Sequence, residues 1–155
     1  MTMDRSKDEE FMKVALEEAS LAFLEGEVPV GAVIVKDGII IARGYNHKES
    51  KKDVTSHAEI EAIKAAEKSL NNWDLSSCEL FVTLEPCLMC GGAIIQSRIS
   101  RLVYGCDDVE EGAISSSFHI FDDLKRHPIL IKRGLFSLES SELLKKFFQI
   151  QRKEK

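Results

Sequence analysis

Two cysteines and one histidine are spaced in this sequence as the ligands of a catalytic metal ion would be. Cys87 and Cys90 are separated by two residues, and His57 lies thirty residues upstream of Cys87. Thiolate and imidazole groups are ligands that zinc prefers, and three protein ligands leave its fourth position open to water. Zinc lowers the pKa of that water to about 7, so the pattern predicts a nucleophile at neutral pH.

Two further residues fit the same chemistry. Glu59, two residues after His57, need not bind the metal and can instead take a proton from the water and pass it to a leaving group. Pro86 precedes Cys87, and its missing N–H costs nothing in the first turn of a helix. We therefore expect both metal-binding elements to lie at helix starts, where the helix dipole favours thiolates.

The combination of His-x-Glu with Pro-Cys-x-x-Cys is the signature of zinc-dependent nucleobase deaminases. The chain closely resembles the bacterial tRNA adenosine deaminase family from about Phe11 to about Gly112 and again over the C-terminal helix. The most specific matching segments are Glu27–Ala32, Tyr45–Asn46, His57–Glu59, Val82–Cys90 and Ser97–Ile99. The resemblance is weaker over 113–128, where relatives carry a Gly-Ser pair and this chain has Ser115-Ser116-Ser117-Phe118.

The resemblance implies a cytidine-deaminase-like fold, one zinc ion per subunit and conversion of adenosine to inosine at the wobble position of a tRNA anticodon loop. It implies a homodimer, because family members pair through helices around the active site. It also implies that Glu59 is the catalytic acid and base. The residues that it places near the substrate are Val30, Asn46, Ala58, Pro86 and Asp108.

Other interpretations of these motifs stay open. A lone Cys-x-x-Cys is typical of a redox pair or of half of a structural zinc site. The remaining cysteines, Cys78 and Cys106, do not form a second such pair. The same zinc chemistry would also serve a deaminase of free guanine, cytosine or a nucleoside. A non-catalytic zinc-binding module is a third alternative, which Glu59 disfavours because a structural site needs no proton shuttle.

The length of 155 residues predicts one domain, large enough to bury a substantial core. The resemblance implies that this single domain, residues 1–155, is a zinc-dependent deaminase. Four cysteines, two of them assigned to metal, favour a reducing cytosol over a disulfide framework. No apolar run approaches the roughly 18 residues that a membrane span requires. We therefore expect a soluble, cytoplasmic protein that has no membrane partner.

The charge is unevenly distributed along the chain. The net charge is −5, yet residues 120–155 carry nine Lys or Arg against five Asp or Glu. This basic end predicts contacts with RNA phosphates through Lys145, Lys146, Arg152, Lys153 and Lys155. The alternative is that these cations only complement the dipole of the final helix.

Hydrophobic periodicity predicts the first half of the fold. Helical spacing extends from about Asp8 to Leu24, and β-branched runs at 28–35 and 39–42 flank Asp37-Gly38, a strong hairpin signal. Gly31 within the first run indicates a bulge or a close approach of another group. We expect 48–54 to be a loop, and Thr55 or Ser56 to cap a helix that starts near His57 and ends at Asn71-Asn72.

The second half predicts strands at 79–84, 101–105 and 129–131. Helices are predicted at 88–97 and from about Ser141 to the C-terminus. Gly91-Gly92 inside the 88–97 helix lowers its helix propensity and so indicates tight packing beneath the site. Helices that alternate with strands after an opening hairpin predict a three-layer α/β/α sandwich with a mixed sheet.

Overall fold

The structure, a computed structural model, describes residues 7–125 and 127–154. Five helices and five strands occur in this part of the chain. In chain order they are α1 (Asp8–Leu24), β1 (Gly31–Lys36), β2 (Ile39–Tyr45), α2 (Lys48–Lys51), α3 (Ala58–Leu70), β3 (Cys78–Leu84), α4 (Leu88–Ser97), β4 (Arg101–Cys106), β5 (Leu130–Arg133) and α5 (Ser137–Lys153).

The five strands form one mixed sheet in the order β2-β1-β3-β4-β5. β1 is antiparallel to both β2 and β3, whereas β3, β4 and β5 run parallel to one another. Parallel neighbours need a crossover connection, and α4 supplies the one between β3 and β4. The ends of β3 and β4 therefore meet at one edge of the sheet, next to the start of α4.

Helices cover both faces of the sheet. Phe11, Met12 and Ala15 of α1 pack with the side chains of β1, β3 and β4 that point to one face, namely Val33, Val35, Phe81 and Val103. The alternate side chains of the same strands pack with α3 and α4 on the other face, among them Ile34, Leu80, Val82 and Leu102. This arrangement confirms the predicted α/β sandwich with a mixed sheet.

Glycines in β1 and β2 let the helices come close to the sheet. A Cβ on Gly31 would overlap the Ala15 carbonyl of α1, and one on Gly44 would lie 2.6 Å from the Ala58 carbonyl of α3. The predicted close approach at Gly31 is therefore made by a helix. Gly44 has the same role beneath the first turn of α3, which carries Glu59.

The hairpin prediction is confirmed. β1 and β2 are joined at Asp37 and Gly38, whose φ angles of 52° and 76° are those of a turn that matches the twist of the strands. β1 begins only at Gly31, three residues later than predicted, because 28–30 make no ladder with a neighbouring strand.

Three local predictions were wrong. Residues 48–51 form the short helix α2 within the expected loop. His57 is the N-cap of α3, which has no side-chain capping bond, and Thr55 instead hydrogen-bonds to Asp53 Oδ1. The final helix starts at Ser137, four residues before the predicted start. The prediction began too late because the serines in this first turn interrupt the apolar periodicity, although they are part of the helix.

The two neighbouring glycines of α4 differ in how tightly they are packed. A Cβ on Gly91 would lie 2.5 Å from the Cδ1 atom of Ile120, so Gly91 is tightly packed, as predicted. A Cβ on Gly92 would meet no atom within 4 Å, so the prediction was wrong at Gly92. In the described ranges, no helix has the length and apolar character needed to cross a membrane.

Candidate active site

His57, Cys87 and Cys90 converge at the starts of two helices. His57 is the N-cap of α3, Cys87 is the N-cap of α4, and Cys90 is the third residue of α4. The Nδ1 atom of His57 lies 3.6 Å from the Sγ atom of Cys87 and 3.5 Å from that of Cys90. Pro86 lies one residue before the N-cap, outside the first turn that the sequence predicted for it.

The spacing of these three atoms fits a tetrahedral zinc ion. Bonds of about 2.0 Å to nitrogen and about 2.3 Å to sulfur, at the tetrahedral angle, require the two ligand atoms to be about 3.5 Å apart. The observed nitrogen–sulfur distances are 3.5 and 3.6 Å. Two sulfurs and one imidazole nitrogen are also a donor set that suits zinc.

The pKa shifts of Cys87 and Cys90 indicate that both thiols can ionise only when a cation lies between them. Hydrogen bonds from Cys90 and His57 lower the pKa of Cys87 to about 4, despite its burial. The hydrogen bond with Cys87 and burial raise the pKa of Cys90, and the charges of Glu59 and Cys87 raise it further. One thiolate thus opposes the ionisation of the other, and a divalent cation between them would remove this conflict.

Glu59 is the second residue of α3 and is buried, with 4% of its surface exposed. Burial raises the pKa of its carboxyl to about 7, and the negative charge of Cys87 acts in the same direction. A carboxyl group whose pKa lies near the working pH can both take up and release a proton. This is the property that a general acid and base requires.

His57, Glu59 and Cys87 line a cleft of about 520 Å³, a volume typical of a small-molecule site, and Cys90 is buried beside them. The cleft is bounded on one side by the chain around Val28 to Lys48 and on another by the loop after β4. That loop places four acidic side chains at the rim, from Asp107, Asp108, Glu110 and Glu111. Leu144 and Phe148 of α5 complete the wall.

Four of the five predicted substrate contacts lie in this cleft, namely Val30, Asn46, Ala58 and Asp108. Pro86 is buried behind the cleft, where its carbonyl accepts a hydrogen bond from the Ala113 N–H at 2.9 Å. Among the described residues that line the cleft, Pro86 does not occur. It therefore supports the loop after β4 and does not itself line the wall.

Backbone groups hold the Asn46 side chain in place. Its Nδ2 donates to the Val28 carbonyl at 3.3 Å, and its Oδ1 accepts from the Lys48 N–H at 3.1 Å. Asp108 has the geometry of a turn residue, since its Oδ1 accepts the N–H groups of Glu110 and Glu111. Both residues nevertheless face the cleft.

The predicted RNA-binding cations lie on different sides of α5. Lys145 and Arg152 are exposed on the part of the helix adjoining Phe148, whereas the Lys146 ammonium lies 5.7 Å from the ring centre of Phe23 on α1. Lys153 is exposed, and helical spacing turns it about 100° away from Arg152. Lys155 lies outside the described residues.

The segment 113–128, where the family pattern is weaker, packs against the domain. Ala113, Ile114 and Phe121 are buried, and the Ser115 hydroxyl lies 2.5 Å from the Tyr104 hydroxyl of β4. Its described residues form successive turns. The segment thus includes part of the structural support of the cleft.

Two functional candidates were not assigned a role from the sequence. Glu27 and Glu85 are 1% and 2% exposed and accept hydrogen bonds from backbone N–H groups on opposite sides of the cleft. The sequence does contain a sign that these carboxylates are buried, because each glutamate is followed by apolar residues in a loop that contains proline. A carboxylate in such surroundings is buried only if it has hydrogen-bond donors.

Comparisons with known proteins agree with this geometry. The family model of the MafB19-like deaminases matches residues 6–152. The tRNA-specific adenosine deaminase of Haemophilus influenzae is 48% identical over 150 residues, which are 96% of this chain and 87% of that protein. The enzyme of the same name from Aquifex aeolicus is 48% identical over 91% of this chain and 93% of its own length.

Solved structures are similar over most of the chain. One comes from studies of A-to-I editing by tRNA:A34 deaminases; it is 44% identical, with a TM-score of 0.83 over 86% of this chain and 98% of that chain. A guanine deaminase from Nitrosomonas europaea is 25% identical, with a TM-score of 0.81 over 95% of this chain and 86% of that chain.

A cytidine-deaminase-like sandwich that clusters one histidine and two cysteines beside a cleft lined by a buried glutamate defines the class of the nucleobase deaminases. The share of the chain matched and the identity of the relatives then narrow the assignment. The chain belongs to the tRNA-specific adenosine deaminase family.

Proposed function

We propose that this protein is a zinc-dependent hydrolase that converts adenosine to inosine at position 34, the wobble position, of a tRNA. The observation that carries the proposal is the buried Glu59 carboxyl beside the His57, Cys87 and Cys90 cluster, at the floor of a cleft of nucleoside size. The choice of substrate follows the relatives, which are named tRNA-specific adenosine deaminases at 40–48% identity.

His57, Cys87 and Cys90 would hold one zinc ion per subunit. Zinc in such a site supplies a Lewis acid that lowers the pKa of a water molecule to about 7. The start of α4 contributes as well, because the positive end of its dipole stabilises the two thiolates at its first turn.

Glu59 would move the protons of the reaction. Its carboxylate takes a proton from the attacking water, and the resulting acid gives that proton to a ring nitrogen of adenine as oxygen bonds to C6. Glu59 then moves the proton of the new C6 hydroxyl to the amino group, so that the C6–N bond breaks, ammonia leaves and the C6 carbonyl of inosine forms. Burial suits Glu59 to both steps, because its pKa of about 7 allows both protonation states at neutral pH.

The cleft would admit one nucleoside at a time. The C6 atom of a stacked base is inaccessible, so the enzyme requires a base that is flipped out or already unstacked, as in an anticodon loop. Asn46, fixed by Val28 and Lys48, offers an oriented amide to the base edge. Lys145 and Arg152, exposed on the part of α5 that adjoins Phe148, would contact phosphates outside the cleft.

The same family assignment supports a homodimer that acts in the cytoplasm. Exposed apolar side chains occur at the start of α4 and on the chain before β3, namely Leu88 and Trp73. Such side chains are expected where helices around the active site pair with a second copy.

One assay tests the proposed substrate. The purified protein is offered tRNA transcripts with A34, the same transcripts with A34 replaced by G34, adenosine, guanine and cytosine, and ammonia and inosine are measured. We expect turnover only of the A34 transcripts. Turnover of guanine without tRNA turnover would assign the site to the activity named for the Nitrosomonas europaea relative.

A further inference from the structure

Glu85 is a buried carboxylate in the turn between β3 and α4, two residues before Cys87. Only 2% of its surface is exposed, and within residues 7–125 and 127–154 it pairs with no Lys or Arg. An ionised group in such a place must be stabilised by hydrogen bonds. Its donors therefore indicate what the residue does.

All of these donors belong to the loop that follows β4. Oε1 accepts the Asp108 N–H at 3.1 Å and the hydroxyl of Ser116. Oε2 accepts the N–H groups of Ile114, Ser115 and Ser116 at 3.1, 2.9 and 3.1 Å. The two oxygens offer about four lone-pair sites, so five donors leave none for a substrate.

The loop is shaped to enclose this carboxylate. A Cβ on Gly112 would overlap the carboxyl group of Glu85 and would lie 2.5 Å from the Asp108 carbonyl. Two backbone bonds flank the side chain, from the Glu85 N–H to Cys106 and from the Ala113 N–H to Pro86, both 2.9 Å long. The carboxylate thus occupies the centre of a closed loop.

The enclosed loop is also a wall of the cleft. Residues 107–111 line the cleft, and Asp108 is both a lining residue and a donor to Glu85. On its other side Glu85 is joined through Pro86 to Cys87. One side chain therefore connects the cleft wall to the helix start that carries the two cysteines.

We propose that Glu85 is a positioning residue, which fixes the 107–111 wall relative to the start of α4 and so sets the affinity of the cleft for its substrate. The role in turnover rests on the proposed function, whereas the role in holding the loop does not. Glu85 acts through the backbone of Asp108 and does not itself bind the substrate.

Glu85→Gln is a selective test. The Gln oxygen can keep the three bonds made by Oε2, and the Ser116 hydroxyl can rotate to accept from the new amide. The Asp108 N–H then faces a donor and loses its partner. We expect hydrogen exchange of the Asp108 amide to accelerate by about tenfold or more, the scale of one lost charge-assisted bond.

The kinetic readout separates positioning from general stability. A displaced wall weakens ground-state and transition-state binding alike, so KM for the substrate should rise by about tenfold while kcat changes by less than about threefold. Zinc content should remain that of the wild type. Gly112→Ala leaves Glu85 intact but pushes the loop off the carboxylate, and we expect the same rise in KM.

Glu27→Gln is the matched control. Glu27 accepts the N–H groups of Glu49 and Ser50, at 3.0 and 2.7 Å, on the opposite side of the cleft. That variant should accelerate hydrogen exchange at the amides of residues 49 and 50 and leave exchange of the Asp108 amide unchanged.

Unchanged exchange of the Asp108 amide in Glu85→Gln would overturn the proposal that Glu85 holds the loop. Faster exchange of that amide together with a wild-type KM would overturn the proposal that Glu85 sets the affinity for the substrate. If the wild-type protein does not act on tRNA, the proposed function fails, while the exchange measurement still decides whether Glu85 holds the loop.

Discussion

Arg101 and Asp8 form a buried two-bond ion pair that ties the first residue of α1 to the first residue of β4. Nη1 of Arg101 donates to Oδ1 of Asp8 at 2.9 Å, and Nη2 donates to Oδ2 at 2.6 Å. Both side chains are 3% exposed or less. Glu79 of β3 and Lys132 of β5 extend the pair, so one charge network connects a helix to three strands.

Asp8→Asn should therefore destabilise the fold strongly. Removing one partner of a buried pair costs about 3–5 kcal/mol when the other charge is left uncompensated. Arg101 keeps Glu79 as a partner in this variant, so we expect a loss near the lower end of that range. The free energy of unfolding can be measured by urea denaturation at pH 7. Glu9→Gln, on the exposed side of the same turn, is the control and should change the midpoint little.

The Asp8 effect should also depend on pH. Burial alone would raise the pKa of Asp8, but the hydrogen bonds from Arg101 and Lys132 outweigh it and hold the pKa below its usual value. A lowered pKa in the folded state contributes stability above the unfolded value of about 3.9, and this contribution is lost as the pH falls through the folded pKa. The stability difference between the wild type and Asp8→Asn should hence narrow below about pH 4. A constant difference down to pH 2.5 would contradict this assignment.

The metal content should be one zinc ion per chain. Cys87→Ser and Cys90→Ser each remove a soft ligand from a three-ligand site, so elemental analysis of protein purified without added metal should find less than the wild-type zinc. Cys78→Ser is the control, because Cys78 lies at the start of β3 and outside the His57 cluster. Full activity in metal-free protein would contradict the proposed chemistry.

Glu59→Gln should separate metal binding from catalysis. The amide occupies the same space but cannot take up a proton, so kcat should fall by about 10²–10⁴-fold, the usual range for a general acid or base. Zinc content and the unfolding midpoint should stay near the wild-type values. Near-normal turnover would exclude Glu59 from the proton transfers.

Charge reversal on α5 should distinguish the side that faces RNA. Arg152 follows Phe148 by one helical turn and so lies near the cleft, whereas Lys153 points about 100° further round. Arg152→Glu should weaken tRNA binding and reduce the salt slope by about 0.7 to 0.9 or more. Lys153→Glu carries the same charge change and should have the smaller effect. Equal effects would indicate long-range attraction without a contact.

A homodimer should be visible by sedimentation. At micromolar concentration we expect a species of twice the 17.4 kDa chain mass. Trp73→Glu and Leu88→Glu place a charge on exposed apolar positions near α4 and should weaken the dimer if helices around the cleft form its interface. Ile39→Glu, on β2 at the far end of the hairpin, is the control. A wild-type monomer would contradict the proposed assembly.

The sequence predicted the elements whose residues repeat with a clear period. α1 and α4 were predicted with their observed bounds. In α1 the apolar side chains recur at helical spacing, and α4 follows directly after Pro86-Cys87. The hairpin at Asp37-Gly38 was equally clear, since few residue pairs adopt two positive φ angles. The metal cluster could be predicted because its ligands must be of particular types.

The supporting contacts of the site could not be predicted in this way. Glu85 acts on Asp108 and Ser116, which are 23 and 31 residues away, and no local pattern encodes such a pairing. The helix α2 was missed because four polar residues carry no apolar period. The division of cations between the two sides of α5 depended on where Phe23 and the cleft lie, which only the packed fold defines.

The position of β5 at the edge of the sheet has a consequence for self-association. β5 is only four residues long, is exposed throughout and carries the half-exposed side chains of Leu130 and Ile131. Unpaired edge strands of this kind can recruit a strand from another molecule and begin aggregation. Lys132 and Arg133 complete the strand, and positive charges at an edge oppose such pairing. The lysine that joins the Asp8 network therefore also protects the open side of the sheet.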